Sequence, residues 1–164
     1  MDTAPAGTSA LPPTIEKALH RFEALAREEK MQSLVSYAKK LPPLPDRLLE
    51  QAGAAIDVPE CTTPLRLFPE FDGTKLHFHA QINARQSPTV AAFLAILFSA
   101  VNDQPPETTL AIPPDFVRRL MHSVGLGTRE VGLEAIVLRL KRYAAEAIAS
   151  RDGQSRASVR GDES

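Results

Sequence analysis

Residues 65–82 read LRLFPEFDGTKLHFHAQI. Leu76, Phe78, Ala80 and Ile82 alternate with Lys75, His77, His79 and Gln81. A period of two is the signature of a strand, with the first set on a core face and the second in water. Ahead of it, Leu65, Leu67 and Phe71 alternate with Arg66 and Glu70. Asp72-Gly73 between the two runs is a hairpin-turn pair. Pro69 has no N–H to give a ladder, which puts the first strand at an edge or on a bulge.

Helical patterns lie on both sides of this hairpin. Downstream, SPTVAAFLAILFSAV (87–101) starts with Ser87 at an N-cap and Pro88 at the first helical position. It is apolar almost all round, so it reads as the central buried helix. Two short helices follow, about 106–110 and 114–122, each started near proline. The last helix opens near Thr128 or Arg129. It carries Leu133, Ile136, Val137, Leu140, Ala144, Ala147 and Ile148 on one face, with Glu134, Lys141, Arg142 and Glu146 on the other.

Upstream, Thr14 is the N-cap of a first helix whose stripe slips phase near Arg27–Glu29. A second helix, with Met31, Leu34, Val35 and Ala38 as its stripe, runs to about Lys40. The prolines of LPPLP (41–45) end it. A short helical turn fits 46–51, and 52–63 reads as a loop. The expected fold is α+β, with helices packed on one face of a small antiparallel sheet. The expected organisation is a loose tail at 1–13, one folded domain at 14–149 and a disordered tail at 150–164, where Val159 is the only sizeable apolar residue.

Composition narrows the function. The chain has 164 residues, 43% hydrophobic and 24% charged, which is ordinary for one globular domain. A net charge of −1 argues against broad attraction to nucleic acid. The longest apolar stretch, near 90–101, is too short to span a bilayer. The first residues lack the pattern of a signal peptide, so a cytoplasmic, reducing setting is expected. One cysteine, Cys61, makes no internal disulfide and no zinc or iron–sulfur site by itself.

His77 and His79 share a strand face, yet no further ligand pattern is matched to them; a solvated face is the plainer reading. His20 and His122 sit in helices without an evident partner. GLG (125–127) lacks the lysine and hydroxyl of a phosphate loop. Cys61 remains, in IDVPECTTPLRLF (56–68). A single cysteine is often a buried filler. This one follows a proline, in a loop outside both periodic patterns, where reactive groups tend to sit. The neighbouring Glu60 disfavours a thiolate, and a nearby arginine would favour it. The residues alone leave filler and nucleophile equally open.

The order of segments resembles the SufE family of cysteine desulfuration proteins. EEKMQSLVSYAKKLPPLP (28–45) is similar to the family's second helix with its Lys-Leu-Pro end. VPEC (58–61) is similar to its Pro-Gly-Cys loop, and the hairpin follows that loop. PTVAAFLAIL resembles the apolar central helix. TREVGLEAIVLRLKRYA (128–144) resembles the closing Ser-Arg-x-Asn-Gly-Leu motif, with Arg129 and Gly132 in place. The chain departs at Glu60 (family Gly), Thr62–Leu65 (Gln-Ser-x-Val), Arg66 (Trp), Val131 (Asn) and Ser87 (Asp).

The resemblance implies a SufE/NifU-like fold and a sulfur carrier without a cofactor of its own. Cys61 would accept sulfane sulfur from a cysteine desulfurase, which holds the pyridoxal phosphate. It would then pass that sulfur to an iron–sulfur cluster scaffold. The resemblance further suggests a Cys61 loop with a sheltered and an outward position. Arg129 is the positive group expected near that loop or the partner surface, with a cap or surface ion pair at the start of the last helix as the equal alternative. Glu60, where the family has glycine, reads as a brake that a basic partner surface neutralises or as a tolerated loop substitution. Three other readings compete. One is a binding module that docks on or modulates a desulfurase without carrying sulfur. Another is a NifU/IscU-type scaffold, which wants more cysteines. The last is a thiol hydrolase pairing Cys61 with His20, His77, His79 or His122.

Overall fold

A computed structural model describes residues 13–50, 53, 55–124 and 130–161. The elements in chain order are α1 (Pro13–Ala24), α2 (Arg27–Lys39), α3 (Asp46–Leu49), β1 (Ile56–Asp57), β2 (Arg66–Phe71), β3 (Leu76–Gln81), α4 (Pro88–Val101), α5 (Pro106–Leu110), α6 (Phe116–Val124) and α7 (Glu130–Gly161). The fold is α+β, and the three strands form one antiparallel sheet in the order β1-β2-β3. Among the described residues, no helix is long and apolar enough to cross a membrane.

The hairpin forms as its alternation demands. Leu67, Leu76, Phe78 and Ala80 are buried on the core face. Asp72 Oδ1 accepts from the N–H groups of Thr74 (2.8 Å) and Lys75 (2.7 Å), and Gly73 takes a φ of 97° that favours glycine. The register runs without a bulge from Arg66↔Gln81 to Phe71↔Leu76. Pro69 is tolerated because, among the described residues, β1 pairs only with Arg66 and Leu67 and nothing pairs with β2 on that side at the proline. A strand of two residues is too short to carry a periodic signal, which is why β1 reads as loop in the sequence.

One helix dominates the core. From Thr89 to Val101, every α4 residue except Ser99 is buried. Phe78 joins three elements, with ring centroids 6.2 Å from Phe98 on α4 and 6.1 Å from Tyr143 on α7. Phe93 stacks on Phe116 of α6 at 5.7 Å. Truncating such a side chain to alanine costs about 3–5 kcal/mol.

Several local expectations shift. α1 begins at Pro13, so Thr14 lies inside the helix; proline suits a first helical position. The break falls at Leu25–Ala26, slightly earlier than the phase slip suggests. On α2, Leu34 and Ala38 turn inward while Met31 and Val35 are exposed. The sheet's second face is not fully solvated either. Phe68 and Leu48 are buried apart from the main core, and Arg47 of α3 grips Glu70 on that face at 2.7 and 3.0 Å. The composition of 150–164 predicts disorder, yet α7 continues to Gly161. Arg151 holds its continuation to α5 through both oxygens of Glu107, at 2.8 and 3.3 Å. The expected tail at 1–13 lies almost wholly outside the described residues.

Candidate functional site: the Cys61 turn

Val58 is 3% exposed and draws the chain into the core after β1. Pro59 fixes its own φ near the value a turn needs. The Cys61 N–H then donates to the Val58 carbonyl at 3.1 Å, closing a four-residue turn. Cys61 is a free thiol, partly buried against the core. It opens on a recess of about 430 Å³, lined also by Glu60, Thr62, Val90, Val131, Gly132 and Leu133.

Gly132 explains how the turn sits so close to α7. A Cβ built there would lie 3.0 Å from Cys61 Cα and 3.3 Å from the Glu60 carbonyl oxygen. Those neighbours are backbone, so only glycine lets the turn rest on the helix without displacement. Seven residues on, two helical turns along the same face, Arg139 pairs with Glu60 at 2.9 Å. The Glu60 carboxyl is held below its ordinary value first by its own backbone N–H; desolvation opposes this and Arg139 adds to the lowering.

The far side of the turn is anchored differently. The Thr63 and Ser87 hydroxyls lie 2.9 Å apart and both residues are buried. Leu65, two residues on, is also buried. Ser87 therefore does not cap α4 with its side chain, contrary to the usual role of serine before a helix. Two positions where the chain departs from the family pattern face each other here.

Cys61 and Glu60 are thus brought together with Gly132 and Arg139. Arg129 lies outside the described residues. Arg139 is missing from the sequence reading. Its signal was its place two helical turns beyond Gly132, which means nothing until Gly132 is known to touch the cysteine turn.

The histidines form other arrangements. The His77 and His79 rings lie 4.5 Å apart. His77 Nδ1 is 3.1 Å from Asp103, and His79 Nε2 is 3.2 Å from Glu70, which Arg47 also holds. His79 is more enclosed than a solvated strand face implies; burial lowers its affinity for a proton, and the neighbouring His77 adds to that. Among the described residues, no group of three or more histidine, cysteine, aspartate or glutamate side chains is placed to hold a metal. His20 pairs with Glu16 at 3.7 Å, and none of the four histidines lines the Cys61 recess.

Known proteins match this architecture along most of its length. Two uncharacterized SufE-like proteins of Mycobacterium tuberculosis, from strains CDC 1551 / Oshkosh and ATCC 25618 / H37Rv, are each 34% identical over 149 residues. The match covers 88% of this chain and 99% of each relative. The solution structure of a hypothetical protein from Thermus thermophilus superposes with a TM-score of 0.72 at 31% identity, covering 85% of this chain and 99% of that one. The domain described as "SufE: Fe-S metabolism associated domain" matches residues 16–144. With the hairpin, the buried central helix and the cysteine turn all inside that span, the chain belongs to the SufE family and has a role in iron–sulfur metabolism.

Proposed function

We propose that this protein accepts sulfane sulfur on Cys61 from a cysteine desulfurase and delivers it to an iron–sulfur cluster scaffold. The observation that carries the reading is the setting of Cys61. It is a free thiol on a turn, anchored on both sides, half-sheltered and beside an open recess.

The chemistry is thiol–disulfide exchange. The Cys61 thiolate attacks the outer sulfur of the desulfurase persulfide. One S–S bond forms and one breaks; the outer sulfur keeps its proton, and the desulfurase cysteine leaves as thiolate. No external oxidant or reductant enters. A carrier of this kind needs access for the exchange and shelter afterwards, because an exposed thiolate or persulfide oxidises. A half-buried sulfur on a short, displaceable turn meets both needs.

The test is intact mass after mixing with a desulfurase and free cysteine. A gain of one sulfur is expected, lost on reduction and absent in Cys61→Ser, which keeps the wild-type Tm. Absence of that adduct with a desulfurase that binds the protein would leave the binding-module reading standing instead.

A further inference from the structure

We propose that Glu60 and Arg139 form an electrostatic latch that holds the Cys61 turn closed on Gly132, released by a cationic group of the docking partner. This deepens the sulfur-acceptor reading and rests on Cys61 being the reacting group.

Buried groups fix the turn at both ends: Val58 on one side, and the Thr63–Ser87 pair with Leu65 on the other. Between these anchors, Pro59, Glu60 and Thr62 are exposed and Cys61 is half-buried. Among the described residues, this short span has two holds across to α7: the seat on Gly132 and the Glu60–Arg139 pair. The anchors serve as hinges and the span between them as the moving part. Local opening of this kind is cheap where few contacts must break.

The pair is suited to release. The Arg139 side chain is 24% exposed and is steadied by a 3.4 Å bond to the Ala135 carbonyl, while Glu60 is 41% exposed. Glu60 is therefore the member an incoming group reaches. A lysine or arginine of the partner bids for the carboxylate, and the turn leaves Gly132 with Cys61 on it. Glu60 then acts as a positioning residue through the turn and is not itself a reactant. An ion pair this exposed is weak, so the latch tunes how often the turn opens and does not lock it.

The test is the rate of Cys61 alkylation by iodoacetamide on the full chain, compared at one pH near neutral, where lysine, arginine and glutamate side chains all carry their charges. It needs no desulfurase. Glu60→Gln and Arg139→Gln should each speed alkylation about two- to fivefold at low salt, the range expected for an exposed pair. Wild type in about 1 M NaCl should approach the variants, because salt screens such pairs. The swap Glu60→Arg with Arg139→Glu, and separately Arg139→Lys, should restore the slow rate. Oligolysine should speed wild type and leave Glu60→Gln unchanged.

If the two single variants move the rate in opposite directions, the charges act on the sulfur itself and the latch is wrong. No change in either variant, or with salt, overturns it equally. Acceleration by oligoglutamate instead of oligolysine overturns the choice of Glu60 as the handle. Should Arg139→Gln fail to fold, the salt series on wild type and the Glu60→Gln rate still decide. The latch and the relay fail separately: alkylation reads the first, sulfur mass the second.

Discussion

Two short segments flank the same hairpin, and they are held in opposite ways. Residues 102–104, after α4, are stitched to β3. The Asn102 side-chain amide accepts from the Phe78 N–H (2.7 Å) and donates to the Phe78 carbonyl (3.0 Å). The backbone of Asp103 and Gln104 pairs with both polar groups of Leu76, at 2.8 and 2.9 Å. Asp103 sits at a φ of 62°, a conformation aspartate tolerates better than most residues. Among the described residues, the Cys61 turn has one backbone bond inside it, one hydroxyl pair behind it and one exposed ion pair across to α7. The first segment closes a sheet edge that would otherwise invite pairing. The second is a place where opening is cheap. The contrast is between a platform edge held by paired backbone groups and a cysteine turn held by fewer bonds.

The largest consequence concerns the stitched segment. Asn102→Ala leaves both backbone groups of a nearly buried Phe78 without partners. It should lower stability by about 2–3 kcal/mol, read by urea denaturation. Under native conditions it should leave the Cys61 alkylation rate within about twofold of wild type. A large rise in that rate would mean the two segments are not independent.

Gly132→Ala acts on the turn instead. The new Cβ meets backbone at 3.0 Å, and the turn must yield. Alkylation of Cys61 should rise about tenfold, which corresponds to ~1.4 kcal/mol moved toward the open position. Overall stability should change by less than about 1 kcal/mol, because alanine improves the helix by about that amount. A stable protein with unchanged alkylation would show that the seat is not what shelters the sulfur.

A smaller effect is expected at the hinge. Thr63→Val removes one hydroxyl and leaves Ser87 buried without its partner. A loss of about 1 kcal/mol in urea is expected. Thr63→Ser, which keeps the hydroxyl, should lose less.

The smallest effect is pH-dependent and lies beside the stitched segment. Burial, then His77, holds the His79 proton affinity down in the folded state. The unfolded chain therefore binds that proton more readily as pH falls below about 6.5. The stability contributed by neutral His79 is full above that pH and declines below it, toward the lower folded value. Wild type should lose more stability between about pH 6.5 and 5 than His79→Gln does. Equal slopes for the two proteins would remove His79 as the cause.

Much of the architecture was readable before any coordinates. The hairpin, the Asp72-Gly73 turn and the buried α4 follow from alternation, turn chemistry and an unbroken apolar run. The resemblance carried by VPEC and TREVGLEAIVLRLKRYA then pointed to Cys61 and to the family. The site around the sulfur was less readable. The sequence marks Glu60 as the neighbour of Cys61 and does not show that Arg139 pairs with it. Ser87 looked like a helix cap and bonds Thr63. The pairing of Arg151 with Glu107 carries no mark in the composition after residue 150.

The line between the two kinds of knowledge is physical. Strand, turn and helix patterns are set by neighbours a few positions apart, so order along the chain suffices to specify them. The neighbours of Cys61 come from α4 and α7, and a glycine or an arginine on a helix carries no mark of what will be laid against it. Only packing α7 beside the turn makes Gly132 a seat and Arg139 the partner of Glu60.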